Sequence, residues 1–179
     1  MICITCVDAL LGTDMERVCR KAEEATGLPV KPCYMYALTR EGRKPPMVHV
    51  RQSIYSLLEP RKKKGNVVNL LGYFSPLVDD CELYDLLHGA GVKTIHEISR
   101  CKDYEEYQTM SEANFNLVLH PEARFAAEDF HDRLKIPYIE LRRLYQIDKI
   151  ASQYRAFGVA LGVAFDDEKP RKTAEAAVA

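Results

Sequence analysis

Strand-like and helix-like segments alternate along almost the whole chain, and this alternation restricts the possible folds more than any other feature. Short apolar runs are separated by longer segments in which apolar residues recur at helical spacing. The run Val67–Leu71 is almost entirely hydrophobic, which is typical of a parallel strand buried on both faces. Repeated β–α units predict an α/β protein with a three-layer, doubly wound parallel sheet of the Rossmann or flavodoxin-like type. The predicted strands lie near residues 2–5, 30–36, 66–71, 92–98, 115–119 and 136–141.

A basic run, Arg61-Lys62-Lys63-Lys64, interrupts the alternation just before the third predicted strand. We predict a domain boundary there, with residues 1–64 forming part of a first α/β lobe and residues 65–165 forming a Rossmann-like lobe. Residues 166–179 are polar and then rich in alanine, so we expect a loose tail. The basic run itself is either a solvated turn or a docking patch for an acidic partner.

Composition, and the absence of several sequence patterns, argue against a number of functional classes. A hydrophobic fraction of 47% and a net charge of −1 describe an ordinary globular protein, not a disordered chain or a nucleic-acid binder that relies on bulk charge. No apolar run approaches the ~20 residues of a membrane span, and no signal peptide is present, so we expect a cytoplasmic protein without a membrane partner. The G-x-G-x-x-G and Walker A patterns are also absent, which argues against direct binding of a nicotinamide dinucleotide or ATP.

The cysteines are spread along the chain and are best interpreted as reduced thiols. Cys3 and Cys6 form a C-x-x-C pair, in which Cys3 lies within the first predicted strand and is expected to be a small buried apolar residue. Cys6 follows the carboxyl end of that strand, on a loop before a helix. We expect this helix to begin at Thr13, which has the capping-box spacing to Glu16, and to end at Gly27. Open α/β sheets place their chemistry at this edge.

The same N-terminal segment resembles the nitrogenase component 1 family, whose members have Thr-Cys, a few apolar residues and then an Ile-Gly-Asp-Asp-like turn into a helix. The matching residues are Thr5-Cys6 and Leu11-Gly12-Thr13-Asp14. Further segments match in the same order, from Met1 to about Gly162: Val68-Asn69-Leu70-Leu71-Gly72, Glu82 to Leu87 with Gly91, Ala113 to Val118, and Ile136-Pro137-Tyr138. The series as a whole carries the resemblance.

The resemblance implies a component 1-like oxidoreductase subunit. Such a subunit takes low-potential electrons from a separate ATP-dependent iron–sulfur reductase and delivers them through a metal cluster to a bound substrate or cofactor. Its partners would be a homologous component 1 subunit and that reductase. The family includes nitrogenases, cofactor-assembly scaffolds and tetrapyrrole reductases, and we expect tetrapyrrole reduction or cofactor assembly here rather than nitrogen reduction.

The resemblance also makes Cys6 the strongest candidate for a metal ligand, because the matching cysteine of the family is a thiolate ligand of an iron–sulfur cluster. The companion cysteines of the family lie upstream of this motif and on a partner subunit. We therefore expect an iron–sulfur cluster in the full complex and none on the isolated chain, which offers one motif-matched thiolate where about four are usual. The alternative is an unligated cysteine at the end of a strand.

His120 is the second candidate, because its position resembles that of the cysteine that binds one end of the catalytic subunit's metal cofactor; a match shifted by one residue would place Leu119 there instead. Histidine is a competent ligand for iron, but the soft thiolate is gone, which argues against an iron–molybdenum type cofactor. The alternative is a helix-capping or surface histidine. Gly72 and Tyr73, after the third strand, complete the predicted cofactor-binding set of Cys6, His120, Gly72 and Tyr73, and we expect Cys6 and His120 to line one edge of a crevice. No catalytic residue is assigned.

A function from a different class also fits the sequence. On the same flavodoxin-like scaffold, a non-catalytic module could bind a metal chelate or another small ligand. Further cysteines ahead of Met1 in a longer gene product would favour electron transfer, whereas a native start at Met1 would favour the binding module. In either case we expect the isolated chain to be inactive.

Overall fold

The computed structural model describes residues 1–35 and 44–164 together with Lys172. The strands are β1 (Ile2–Ile4), β2 (Pro32–Tyr34), β3 (Val67–Leu71), β4 (Thr94–Glu97), β5 (Phe115–Val118) and β6 (Tyr138–Glu140). The α-helices are α1 (Cys6–Leu10), α2 (Met15–Thr26), α3 (Pro46–Tyr55), α4 (Glu82–Gly89), α5 (Tyr104–Thr109), α6 (Arg124–Leu134) and α7 (Ile147–Leu161), joined by the 3-10 helices Ile98–Arg100, Met110–Glu112 and Pro121–Ala123. Within these residues, no helix is both long enough and apolar enough to cross a membrane.

The strands form two sheets, and every observed pair of neighbouring strands is parallel. β1 and β2 form a small sheet, and the larger sheet has the order β4-β3-β5-β6. The predicted α/β fold with parallel strands is therefore confirmed, and each strand lies within a few residues of its predicted place. Residue 36, the end of the second predicted strand, lies outside the described residues.

The order of the larger sheet creates a switch point between β3 and β5. The chain moves from β3 to β4 on one side, and then returns to place β5 on the other side of β3. The loops that follow β3 and β5 therefore diverge to opposite faces of the sheet. In open α/β sheets this divergence leaves a crevice at the carboxyl ends of the strands, where ligands bind.

Helices cover both faces of the larger sheet and complete the three layers. Leu71 of β3 and Val118 of β5 belong to one buried cluster, which also contains Phe130 of α6. Val68 and Leu70 belong to a second cluster on the opposite face, together with Leu83 and Leu87 of α4 and Phe157 of α7. This division follows from the two-residue period of a strand, and it explains why β3 is hydrophobic at almost every position.

Helix α3 connects the two sheets. The hydroxyl of Ser53 donates a hydrogen bond to the carbonyl of Pro32 in β2, at 3.4 Å. At the end of the same helix, Tyr55 is 1% exposed and packs edge-on against Phe130, with 5.2 Å between the ring centroids. The boundary between residues 64 and 65 stays a prediction, and the tail at 166–179 lies outside the described residues except for Lys172.

The basic run is tied to the segment around the 3-10 helix Met110–Glu112. Lys63 donates its ammonium hydrogen bond to the carbonyl of Ser111 at 2.6 Å, and Lys64 forms an ion pair with Glu112. Arg61 forms an ion pair with Glu105 at 2.8 Å. Three of the four basic residues of this run therefore have partners inside the protein. These contacts favour a structural turn over a docking patch.

The segment around Cys6 differs from the expectation. Cys6 does not lie on a loop, since it is the first residue of helix α1. The backbone N–H and the hydroxyl of Thr5 both donate to the Asp8 carboxylate, at 3.0 and 2.8 Å, and this capping interaction starts the helix. In the sequence, the spacing of Thr5 and Asp8 is that of a capping box, which predicts a helix start at this point. Gly12, with φ of 66°, then allows the chain to turn away after the helix.

Helix α2 begins at Met15, so the expected start at Thr13 is wrong. Its N-terminal cap is Asp14, whose carboxylate accepts a hydrogen bond from the backbone N–H of Arg17 at 3.0 Å. A carboxylate is also favoured there by the positive end of the helix dipole. The predicted end is confirmed, because Gly27 closes the helix with φ of 67°.

Asp14→Ala is expected to lower the free energy of unfolding by about 1 kcal/mol, because it leaves an N-terminal N–H of α2 without its acceptor. Thr13→Ala, one residue earlier, is the matched control and should leave the stability nearly unchanged. Urea unfolding of both variants measures the difference. An equal loss in the two variants would show that Thr13 caps the helix after all.

Candidate functional site

A cavity of about 700 Å³ lies at the carboxyl ends of β5 and β6, beside the loop that follows β3. Apolar and charged side chains line it together: Tyr73, Leu119, His120, Pro121, Arg124, Glu140, Leu141, Arg142 and Arg143. Its place agrees with the switch point of the larger sheet, where the β3 and β5 loops diverge. Two of the predicted site residues, Tyr73 and His120, are therefore brought together here.

Gly72, the third predicted residue, lies directly against the backbone of His120. The N–H of Leu119 donates to the carbonyl of Leu71 at 2.8 Å, so the segments that follow β3 and β5 stay paired beyond the end of β5. Gly72 has φ of 145°, and a Cβ atom there would lie 2.8 Å from the His120 nitrogen and 2.9 Å from the His120 Cβ. Only glycine lets the two loops approach this closely without strain.

His120 is oriented by its own loop and by Tyr73. Its Nδ1 accepts a hydrogen bond from the backbone N–H of Glu122 at 3.3 Å, so it caps the 3-10 helix that leads into α6. Its ring meets the Tyr73 ring at 74°, with 5.8 Å between centroids. Because Nδ1 accepts, the neutral ring carries its proton on Nε2. The helix-capping alternative is thus observed, and a metal-binding role for Nε2 stays a prediction.

Arg51 of α3 holds the two loops in place from behind the cavity. It is 6% exposed, and its Nε and Nη2 donate to the carbonyl of Gly72 at 3.2 and 2.8 Å. Its Nη1 donates to the carbonyl of Met47 at 3.0 Å and to the Glu122 carboxylate at 2.8 Å. The guanidinium also lies 4.9 Å from the centroid of the Phe74 ring. One side chain therefore fixes both the Tyr73 loop and the His120 loop relative to α3.

The sequence reasoning missed Arg51, although a signal was present. Val48 and Tyr55 are buried on one face of α3, and Arg51 lies between them at spacings of three and four residues. A cation on the apolar face of a helix is rarely buried without partners. That placement predicts that the guanidinium finds acceptors inside the fold.

The rim of the cavity carries an excess of positive charge. Glu140 pairs with Arg124 at 2.6 Å and lies 3.8 Å from Arg142. The hydrogen bond to the Glu140 carboxylate raises the pKa of Arg124, which keeps that guanidinium charged. Arg143 donates to the hydroxyl of Tyr73 at 3.0 Å and forms no ion pair with the part of the chain that the structure describes. Two guanidinium groups, those of Arg124 and Arg142, thus share one carboxylate, and the lining carries three arginines against one glutamate.

Cys6 lies away from this cavity. It follows β1 of the smaller sheet, its side chain is exposed, and it is not among the lining residues. Cys6 and His120 therefore do not line the same cavity, in contrast to the expectation of a shared crevice. Cys3 is also exposed, so the expectation of a buried small residue is wrong, whereas its register partner Cys33 is fully buried. Within the described residues, β1 pairs with β2 alone, so Cys3 lies on an edge strand of a two-stranded sheet.

Comparisons with known proteins identify the family of this chain. The family model described as "Nitrogenase component 1 type Oxidoreductase" matches residues 1–179. The chain belongs to this family. It is 26% identical over 162 residues to the nitrogenase iron-molybdenum cofactor biosynthesis protein NifE of Nostoc sp., a match that covers 88% of this chain and 34% of that protein. NifE of Klebsiella pneumoniae is 26% identical over 188 residues, which cover 98% of this chain and 40% of that protein.

Among solved structures, one titled "Nitrogenase Cp1 at pH 5" superposes with a TM-score of 0.66 and 20% sequence identity. The match covers 97% of this chain and 36% of that one, and it establishes the shared fold. The chain therefore spans between about a third and two fifths of the length of these curated relatives.

The family implies a metal cluster, and the described residues fit one only in part. Iron–sulfur clusters are usually held by four cysteine thiolates. Within residues 1–35 and 44–164, no group of three or more His, Cys, Asp or Glu side chains is placed to hold a metal ion. Cys6 is exposed and free of a disulfide, so it fits a cluster whose remaining ligands come from elsewhere.

Proposed function

We propose that this chain is part of a component 1-like subunit that serves in the assembly of a metal cofactor, within a cytoplasmic multi-subunit complex. The relatives support cofactor assembly over tetrapyrrole reduction, because the NifE proteins are named for cofactor biosynthesis. The observation that carries the proposal is His120, which lines the cavity at the position where the family resemblance expects an anchoring cysteine.

The change from cysteine to histidine suits a scaffold that has to release what it holds. A thiolate is a soft, anionic ligand that binds iron clusters tightly, whereas a neutral imidazole binds iron through one nitrogen without adding charge. Nε2 of His120 would be the coordinating atom, and the ring would stay neutral because its proton would move to Nδ1, which lies 3.8 Å from the Glu122 carboxylate. A weaker ligand at this place favours transfer of the cofactor over permanent retention.

The surroundings of Cys6 support a role at a subunit interface. Val7, Leu10 and Leu11 of the same helix and its following turn are 63%, 75% and 76% exposed. Apolar side chains clustered around an exposed thiol are typical of a surface that a partner covers. We propose that a homologous component 1 subunit covers it and supplies further thiolates, so that Cys6 contributes one ligand to an iron–sulfur cluster.

The electron source is proposed to be a separate ATP-dependent iron–sulfur reductase. The chain has neither the G-x-G-x-x-G nor the Walker A pattern, so the nucleotide chemistry would belong to that partner. The cluster at the interface would supply one-electron transfer between the reductase and the cavity. Within this chain, the paired loops after β3 and β5 would hold Tyr73 and His120 at the cavity to which the electrons are delivered.

In the complex with its partner subunit, Cys6→Ser is expected to lower bound iron and sulfide at least about twofold, because a serine hydroxyl does not replace a thiolate ligand. Cys81→Ser is the matched control, since Cys81 is a partly exposed free thiol at the start of helix α4. Iron and sulfide analysis after anaerobic reconstitution measures both variants. The isolated chain should hold almost no cluster.

Three results would count against this proposal. Near-stoichiometric cluster content in the isolated chain would contradict the shared site, and an unchanged cluster in Cys6→Ser would remove Cys6 from it. A complex that never acquires a cluster would favour the alternative of a non-catalytic small-ligand binding module on the same scaffold.

A further inference from the structure

We propose that Cys3 and Cys33 are a redox site, at which a peroxide forms a reversible disulfide that joins β1 to β2. The site lies in the smaller sheet, outside the cavity, and the inference goes beyond the proposed function. It concerns the chain while the surface around Cys6 is uncovered, because the oxidant has to reach the exposed Cys3 from solvent.

The backbone places the two cysteines side by side. Cys3 and Cys33 are register partners in the parallel pair of β1 and β2. Neighbouring strands lie about 4.8 Å apart, and register partners point to the same face of the sheet. A disulfide needs Cα atoms within roughly 4.4–6.8 Å of each other, so this spacing meets the requirement. The thiols are already in contact, because the Cys33 side chain hydrogen-bonds to that of Cys3.

The two thiols differ in exposure, and this difference sets the order of the steps. Cys3 is exposed, whereas Cys33 is 0% exposed and also hydrogen-bonds to Ser53 of α3. Burial raises the pKa of Cys33 to about 11, and the neighbouring Cys3 adds to the rise. Because the thiolate is the form of cysteine that attacks a peroxide, Cys3 reacts first and Cys33 stays a thiol until then.

The reaction has two balanced steps. The Cys3 sulfur attacks a peroxide oxygen, so that an S–O bond forms, the O–O bond breaks, and hydroxide leaves as water with the thiol proton. The Cys33 sulfur then attacks the Cys3 sulfenic acid, so that an S–S bond forms, the S–O bond breaks, and a second water leaves with the Cys33 proton. The two thiols lose two electrons in total, and one peroxide is reduced to two waters.

The position of the bond makes it reversible and brings it close to Cys6. β1 is a three-residue strand that leads directly into Thr5, the cap of α1, and then Cys6. A disulfide with an exposed sulfur on a short edge strand is open to attack by thiol reductants. Oxidation would therefore fix the strand ahead of Cys6, and reduction would release it.

The test oxidises the purified full chain, reduced beforehand, with about one equivalent of hydrogen peroxide at about pH 8. Free thiols are blocked with N-ethylmaleimide, and tryptic fragments are analysed by mass spectrometry without reduction. Cys3 and Cys6 fall in fragment 1–17, and Cys33 falls in fragment 22–40. We expect the two fragments to be linked in the oxidised chain, and dithiothreitol to separate them.

Single serine variants identify the linked pair. Cys3→Ser and Cys33→Ser should each abolish the link, whereas Cys6→Ser should leave its yield unchanged and so exclude a bond made by Cys6. Cys101→Ser is the matched control, because Cys101 is a partly exposed free thiol that follows the 3-10 helix Ile98–Arg100, and the link should form as in the unchanged chain. Circular dichroism of each variant verifies that it is folded.

Unfolding the chain in urea separates a built site from chance pairing. The link should form at least about tenfold more slowly in urea, because the folded sheet holds the two thiols together. The inference is overturned if oxidation gives sulfinic acid on Cys3 without linked fragments, if Cys6→Ser abolishes the link, or if the link forms as fast in urea. None of these results depends on the cluster content of the complex, so the proposed function is tested separately.

Discussion

Gly72→Ala is expected to lower the free energy of unfolding by about 2–5 kcal/mol, because the new methyl group has no space and the backbone angle suits only glycine. The atoms that it would meet, the nitrogen and Cβ of His120 at 2.8 and 2.9 Å, belong to a segment that cannot withdraw easily. Leu119 is hydrogen-bonded to Leu71 in the same ladder, and Arg51 holds the Gly72 carbonyl. The clash therefore has to be relieved by separating β3 from the β5 loop.

Urea unfolding measures this loss, and Gly65→Ala provides the matched control. Gly65 has open space around its Cβ position and no positive φ, so the same added methyl group should change the stability little. If the two alanine variants unfold at the same urea concentration, the close approach of the two loops is not a feature of the folded protein.

The order of elements could be predicted from the sequence because periodicity reports local conformation. β3 and β5 were found in place since both are nearly continuous apolar runs, and α6 since Pro121 marks the entry to a helical segment. Two features escaped prediction. Strand pairing depends on distant residues, so periodicity did not show that β1 pairs with β2 alone, although the basic run led us to predict a first lobe that contains both strands. The exposure of Cys3 follows from that pairing and not from its neighbours in sequence.

The candidate site likewise contains residues that could be predicted from the sequence and residues that could not. His120 and the Gly72–Tyr73 loop could be predicted, because the carboxyl ends of neighbouring parallel strands meet at one edge whatever the side chains are. Arg143 was not predicted, since its contact with Tyr73 joins residues that are 70 positions apart. Arg51 likewise reaches Glu122 across 71 positions. Such contacts are set by the packing of α3 and β6 against the sheet edge.

Arg51→Met is expected to lower the free energy of unfolding by about 2–4 kcal/mol, because methionine keeps the apolar packing but supplies no donors. The carbonyls of Gly72 and Met47 would lose their partners, and the Gly72 carbonyl would lose two hydrogen bonds at once. The Glu122 side chain is 33% exposed, so water would solvate its carboxylate in part and keep the loss below that of a fully buried ion pair.

Arg51→Lys separates the contribution of the charge from that of the planar fork. A lysine ammonium can still pair with Glu122, but it cannot reach Gly72 and Met47 with the same geometry, so we expect an intermediate loss of stability. Arg61→Met is the matched control, because Arg61 pairs with an exposed Glu105 and its removal should change the unfolding midpoint little. Equal midpoints for Arg51→Met and Arg61→Met would show that Arg51 does not anchor the loops.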